Sequence, residues 1–311
     1  MDFLLNGIVP SVMISIITAA TPLVYAALGE LVVEKSGCLN LGVEGMMIMG
    51  AVSAFAVAVS TDSGFLAVMA GAVSGALMAG LYALVSLVFL ANQVATGLAL
   101  TIFGLGLSAL IGQSFVGVSF RGIDPIFIPF LSDIPVIGTL LFGLDILIYG
   151  SIFLAFSIAY FLHKTRWGLI LRAVGENHDA AHAIGYPVRL IRLMALVFGG
   201  AMAGIGGAYL SVVYTPFWAE GMTAGRGWIA LALVVFAAWR PWPAFFGAYL
   251  FGGVFIVQLH AQGFGIKVPA QILAMLPYLI TIAVLVWISA NKGKMQGLAP
   301  ACLGIGFHAS K

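Results

Sequence analysis

Charge is scarce in this sequence. Of 311 residues only 8% are Asp, Glu, Lys or Arg, where a soluble domain carries about 25%, so water is excluded as the main solvent. Cysteine is scarcer still. Cys38 and Cys302 are too few and too far apart for a disulfide framework or a CxxC metal site. The 13 basic and 11 acidic residues nearly cancel, to +2, which leaves no strongly basic face for a phosphate backbone and removes nucleic acid as a partner. Catalytic and nucleotide signatures are also missing. The sequence has no HExxH, no GxSxG, no GxxxxGKS or GxxxxGKT, and no cofactor motif, so it hydrolyses no ATP by itself and is not an enzyme.

What is abundant is apolar surface: 62% of residues are hydrophobic and the mean hydropathy is +1.13. About 20 mostly apolar residues cross a bilayer core of roughly 30 Å. Such runs fall at 9–28, 43–60, 64–90, 94–116, 143–162, 191–213, 223–239, 242–260 and 268–289. The expected fold is all-α: a polytopic membrane bundle of about nine transmembrane helices, eight to ten, in a single domain over 1–311. Leu31 to Leu41 is a candidate short tenth element. Met1 to Pro10 contains Asp2 but no Lys or Arg, so it lacks the basic region of a secretory signal, and the first run reads as a retained helix.

Loops alternate sides, which lets the positive-inside rule test the spans. One side receives Lys35, Lys164, Arg166, Arg172, Arg189, Arg192, Arg240, Lys292, Lys294 and Lys311; the other receives Arg121, Arg226 and Lys267. This asymmetry puts the first group in the cytoplasm, the amino terminus outside and the carboxyl terminus inside.

Lipid tails are as apolar as leucine, so helices in a bilayer associate through the close approach that small residues permit. Gly71, Gly75 and Ala79, and again Gly199, Ala203 and Gly207, supply such faces. The Gly/Ala-rich helix 71–83 precedes the segment Asn92 to Leu100, and the Gly/Ala-rich helix 199–208 precedes Gly225 to Leu233. In the nine-span topology these helices run in opposite directions, as an inverted repeat requires.

An ion-driven transporter carries ionisable groups within its spans. Here nearly all the carboxylates, Glu30 and Glu34 included, fall in loops or at span ends. Only Glu44, Asp145 and His260 approach the interior, with an interfacial place favoured for the last two. The energy for any transport is therefore expected to come from outside the chain. A path for an uncharged polar solute needs hydrogen-bonding groups and aromatic faces. Its candidates are Asn40, Glu44, Asn92, Gln93, Thr96, Gln113, Trp228 and Gln258. Polar side chains that glue helices together, and interfacial tryptophan, are the competing explanations. Glu44 stands out, because a buried carboxylate near Asn40 needs a partner. Arg226 is placed at the outer end of its short span, facing a vestibule or snorkelling.

The loop from His163 to Pro187 is the most informative stretch. Asn177 is a candidate N-cap, Asp179 an acid in the first turn, and Gly185 with Pro187 a stop, which predicts a helix from Asp179 to Ile184. A helix that short is unstable alone. It docks either into a cytoplasmic partner or against its own membrane domain. His178 and His182 stand at i and i+4, but with no third ligand nearby they read as solvated loop histidines rather than a metal site.

At this point the residues resemble a family. Arg172-Ala173-Val174-Gly175-Glu176-Asn177, followed by Ala180-Ala181 and Gly185, is similar to the coupling segment of permease subunits of bacterial ABC importers, in the simple-sugar, nucleoside and branched-chain amino acid branch. Ser36-Gly37-Cys38-Leu39-Asn40-Leu41-Gly42-Val43-Glu44-Gly45 looks like that branch's signature. Leu-Gly-Val-Glu-Gly-Met-Met is most like its nucleoside and simple-sugar members. The resemblance runs from about residue 20 to 290; Asn291 to Lys311 matches no shared motif. It implies a multi-pass subunit of the bacterial inner membrane that conducts a small polar solute, first a nucleoside and second a simple sugar. It also implies an ABC ATP-binding subunit, a second permease chain, an extracytoplasmic substrate-binding protein and surrounding membrane lipid. Within the loop 163–190, Arg172, Gly175, Glu176, Asn177, Asp179 and Ala180 would couple to the ATPase. An ion-coupled secondary transporter that works alone is the alternative.

Overall fold

The computed structural model describes residues 9–126 and 142–263, Gly138, residues 299–308 and single positions between 272 and 286. In chain order its helices are α1 (Val9–Lys35), α2 (Val43–Thr61), α3 (Gly64–Ala83), α4 (Gln93–Gly112), α5 (Ile146–Lys164), α6 (Arg166–Glu176), α7 (His178–Ala183), α8 (Val188–Tyr209), α9 (Arg226–Phe236) and α10 (Pro241–Gly263). Short polar side chains open many of them. Ser63, Asn92, Asp145, Thr165 and Asn177 each accept a backbone N–H of the first turn of α3, α4, α5, α6 and α7, satisfying donors that a helix leaves orphaned.

Among the described residues seven helices are long and apolar enough to cross a membrane, and the chain is an all-α, multi-pass membrane bundle. Two expectations change. The run 223–239 yields only α9, eleven residues or about 16 Å, too short to span. No tenth element starts at Leu31: the first helix continues to Lys35 and the chain then turns through Gly37, whose φ is +89°. Hydropathy falls at Glu30 and Glu34, but the helix persists because both carboxylates find partners further along the chain. The ninth run, 268–289, lies outside the described residues apart from those single positions, and Lys267, Lys292, Lys294 and Lys311 lie outside them altogether.

The core is organised around α8, which packs on α1, α2 and α3. Gly71 and Gly75 of α3 lie against Gly204 and Gly200, an antiparallel register. Gly29 of α1 meets Gly199 and the Pro22 carbonyl meets Gly206, again antiparallel, while Met47 and Ala51 of α2 meet Gly207 and Ser211 in parallel. Both predicted small-residue faces are used, though not on each other. The α3 stripe packs on the neighbouring row 200, 204 and 208, while Gly199 and Gly207 face α1 and α2. At these positions backbone touches backbone, which only hydrogen as a side chain allows. The antiparallel α3 and α8 also end alike, each in a five-residue π turn, Leu84–Val88 and Leu210–Tyr214.

The basic residues separate as the loop pattern requires. Lys35, Lys164, Arg166, Arg172, Arg189, Arg192 and Arg240 share the end of the bundle where α1 stops, α6 and α7 lie and residues 299–308 dock, while Arg121 pairs with Asp124 in the loop after α4. Arg226 is half-buried at the start of α9, its guanidinium over the rings of Tyr214, the last residue of the 188–214 span, and Phe255.

A side chain at Gly204 would collide with the Gly71 carbonyl. Gly204→Val is therefore expected to cost upwards of about 1–3 kcal/mol, seen as a large loss of monodisperse protein in detergent. Gly106→Ala, where nothing lies within 4 Å, should leave the yield unchanged.

Candidate functional site

Two stretches of non-helical backbone enter the interior of the bundle, 36–42 and 215–225. Irregular backbone at membrane depth survives only where protein or a cavity covers its polar groups, so these stretches locate the candidate site. They meet at Glu44. Its carboxylate, 4% exposed, accepts the Thr223 hydroxyl and the Gly225 amide (2.9 Å) on one oxygen and the Gly227 amide (2.6 Å) on the other. Glu44 thus occupies the N-terminus of α9, where the amides are unpaired and the dipole favours an anion. Gly225 takes φ +81°, which opens the turn, and a Cβ on Gly227 would lie 2.5 Å from the Glu44 Cα. The adjacent Arg226 donates to the Met222 and Thr223 carbonyls and lies over the rings of Tyr214 and Phe255, 5.7 and 5.5 Å away, in cation–π contact.

The other stretch is lined by polar groups as well. Asn40, fully buried, donates to Glu30 and accepts the Gly42 amide, so its partner is Glu30 and not Glu44. Gln93 accepts the Leu39 amide at 2.8 Å, and the Tyr82 hydroxyl donates to the Leu39 carbonyl. Glu34 accepts the Trp239 indole N–H. Glu30 and Glu34, expected at a span end, are fully buried inside α1. Hydropathy hid them, because their partners are 10 and 205 residues away. Glu30 Oε1, Glu34 Oε1, Gln93 Nε2 and Gln258 Oε1 are buried without a partner among the described residues. These atoms are where the interior can offer hydrogen bonds to something other than itself.

The remaining path candidates are dispersed. Asn92 is the exposed cap of α4 and Thr96 bonds back to its carbonyl. Gln113 is exposed at the far end of α4, Trp228 is half-buried next to Gly227, and Gln258 lies on α10. Asp145, at the start of the α5 span, caps that helix, also accepts the Tyr209 hydroxyl and is covered by protein. His260 is helical, and its side chain lies outside the described part. A cavity of about 520 Å³ between α1, α5, α6 and α8 has walls such as Ile158, Phe161, Trp167 and Met194, with Ser157 its one polar residue. It does not suit a polar solute.

At the basic end, α6 and α7 form the segment singled out in the loop. The helix begins at His178, one residue before the expected start, and Asn177 caps it through Ala180 N at 2.9 Å. Glu176, Asn177, Asp179 and Ala180 are exposed, Arg172 is half-buried and Gly175 is buried against the Lys35 carbonyl. His178 is not solvated. Arg192 Nη2 lies 3.2 Å from its Nδ1, and because a guanidinium only donates, Nδ1 is the acceptor and the proton sits on Nε2, 3.6 Å from Asp179. Arg192 itself, placed by sequence in a loop, is completely buried.

This fold is a multi-pass helical membrane bundle in which irregular stretches meet around a buried carboxylate, with a short capped helix at the basic end. The chain belongs to the branched-chain amino acid transport system / permease component family, whose pattern matches residues 12–285. It is 36% identical to a putative glucose ABC transporter permease protein of Haloferax volcanii, covering 92% of this chain and 94% of that one. It is 32% identical to a nucleoside ABC transporter permease protein of Lactococcus lactis, covering 94% and 95%. It is 33% identical to a guanosine ABC transporter permease protein of Bacillus subtilis, covering 91% and 92%.

Glu44→Ala strands three buried donors at about 1–3 kcal/mol each, and is expected to abolish recovery of folded protein. Glu44→Gln keeps one acceptor oxygen but loses the charge at the α9 terminus; a drop of several degrees in detergent melting temperature is expected. Burial, and secondarily Arg192, hold His178 below its usual 6.5, with His308 adding to the shift and Asp179 opposing it. The folded state then binds fewer protons than the unfolded one, so stability is complete above that value and falls as pH drops through it. Hydrogen exchange at the Cys302 and Gly304 amides, corrected for intrinsic rate, should quicken between about pH 7.5 and 5.5. In His178→Gln it should stay flat.

Proposed function

We infer that this chain is the membrane-spanning subunit of an ATP-driven importer for nucleosides, or for simple sugars, working with a separate cytoplasmic ATPase. The observation that carries the reading is α7 in a chain of this family. It is a six-residue helix with Asp179, Ala180 and His182 exposed, set at the end of the bundle where the basic residues gather. That end is cytoplasmic by the positive-inside rule, which places the amino terminus outside and the carboxyl terminus inside.

In this reading ATP binding closes two cassettes on α7, with Arg172, Gly175, Glu176, Asn177, Asp179 and Ala180 forming the coupling surface. The bundle shifts between two packed arrangements whose balance the cassettes bias. A second permease chain completes the path, and an extracytoplasmic binding protein delivers the solute. Along this chain the path runs past Asn40, Glu44, Gln93 and Trp228, with Asn92, Thr96, Gln113 and Gln258 toward its ends. The glucose, nucleoside and guanosine names of the relatives support a polyhydroxylated solute, which the unpaired buried atoms of Gln93 and Gln258 suit.

In proteoliposomes containing the full complex, a labelled nucleoside is expected to accumulate only with ATP, and excess unlabelled glucose should not compete. Gly175→Ala, whose methyl group would strike the Lys35 carbonyl, should leave ATP hydrolysis running while uptake drops about tenfold, a loss of roughly 1.4 kcal/mol in coupling. Accumulation by the purified chain alone, driven by an ion gradient, would identify the stand-alone transporter instead.

A further inference from the structure

Residues 299–308 carry no shared motif, yet they are bonded to several parts of the basic end. The Cys302 amide donates to the Gly175 carbonyl at 2.9 Å and the Gly304 amide to the Gly37 carbonyl at 3.1 Å. One short strand of tail therefore bonds both the end of α6 and the first turn of the stretch 36–42. Cys302 Sγ lies 3.4 Å from the Glu176 carbonyl. From α8, Arg192 joins the tail and the turn at Ser36 to α7. Its Nε donates to Ser36 O (3.2 Å), its Nη1 to Ile305 O (2.9 Å) and its Nη2 to His178 Nδ1 (3.2 Å). Phe307, 4% exposed, wedges its ring edge-on against His178 and His182, 5.3 and 5.2 Å between centroids, and closes a small apolar cluster with Val174, Ala181 and Val188.

A six-residue helix has too few internal hydrogen bonds to hold its own orientation. The side of α7 that is not exposed rests on Phe307 and on Arg192, and both lead to the turn at Ser36 and Gly37. That turn leads in five residues to Gly42, and from there into Glu44 and the N-terminus of α9. Buried charge-assisted hydrogen bonds with a fork geometry are among the stiffest side-chain links available.

We propose that the C-terminal segment 300–308 is a strap that fixes α7 to the stretch 36–42, so that displacement of the coupling helix reaches the buried polar interior through Arg192 and Phe307 as well as along α8. Arg192 and Phe307 are positioning residues, acting on the site through α7 and through Ser36–Gly37. The proposal rests on the importer reading for its transport consequence, but its mechanical claim concerns this chain alone.

The test uses the complete complex with deletion of 300–311, Phe307→Ala, Phe307→Tyr and Arg192→Lys. Deletion and Phe307→Ala are expected to leave the ATPase bound and hydrolysing within about twofold, while solute transported per ATP falls about tenfold. Phe307→Tyr, which keeps the ring, should restore the ratio. Arg192→Lys, which keeps the charge but not the three-way fork, should lower it. Hydrogen exchange gives a readout independent of transport: deletion should quicken the amides of 178–183 and of 36–42 together. Exchange unchanged at 36–42, or an unchanged ratio of transport to hydrolysis in both the deletion and Phe307→Ala, would overturn the strap. So would failure of both variants to assemble, which would make the tail a folding element. If wild-type uptake proves independent of any ATPase, the importer reading falls while the exchange result still decides the mechanical claim.

Discussion

The interior of this bundle depends on one carboxylate. Glu44 opens α2 and at the same time closes the N-terminus of α9, some 180 residues later in the chain, through three donors at Thr223, Gly225 and Gly227. Each charge-assisted bond of this kind is worth about 1.5–3 kcal/mol, and none of its members could be buried without the others. α9 can begin in the interior because an anion is waiting there, and α2 can carry a buried anion because amides are waiting for it. The arrangement resembles the discontinuous helices by which transport folds hold solutes at depth, with the difference that here the helix terminus is occupied by the protein's own side chain.

Around that node the packing is set by absence of side chains. Gly50, Gly71, Gly75, Gly200 and Gly204 bring three helix backbones to van der Waals distance, a geometry that transmits displacement because nothing compressible lies between the helices. Near the basic end the logic is reversed. There Arg192, Phe307 and the backbone of Gly37, Gly175 and Gly304 make a polar, hydrogen-bonded knot.

The path candidates illustrate how far residue type alone reaches. Asn40, Gln93 and Glu44 do converge on the two irregular stretches, because a buried polar group must find a partner and partners cluster. Asn92 and Thr96 are candidates on the same ground, yet their side chains serve the first turn of α4, a local use that equally suits Asn and Thr. Glu30 and Glu34 escape a hydropathy window because it averages a carboxylate with its neighbours and has no access to Asn40 or Trp239.

The lipid solvent, the helical class, most of the spans, the end of the bundle where basic residues gather and the capped turn after Asn177 all follow from composition, window averages and contacts within a few residues. Long-range contacts are needed to see that the run at 223–239 is a half-length helix, that Arg226 lies over Tyr214 and Phe255, that Arg192 is the buried hub of the basic end and that 299–308 docks on the end of α6 and the turn at Gly37. Each of those depends on a partner far away along the chain, and a residue's cost of burial is unknowable until that partner is in place.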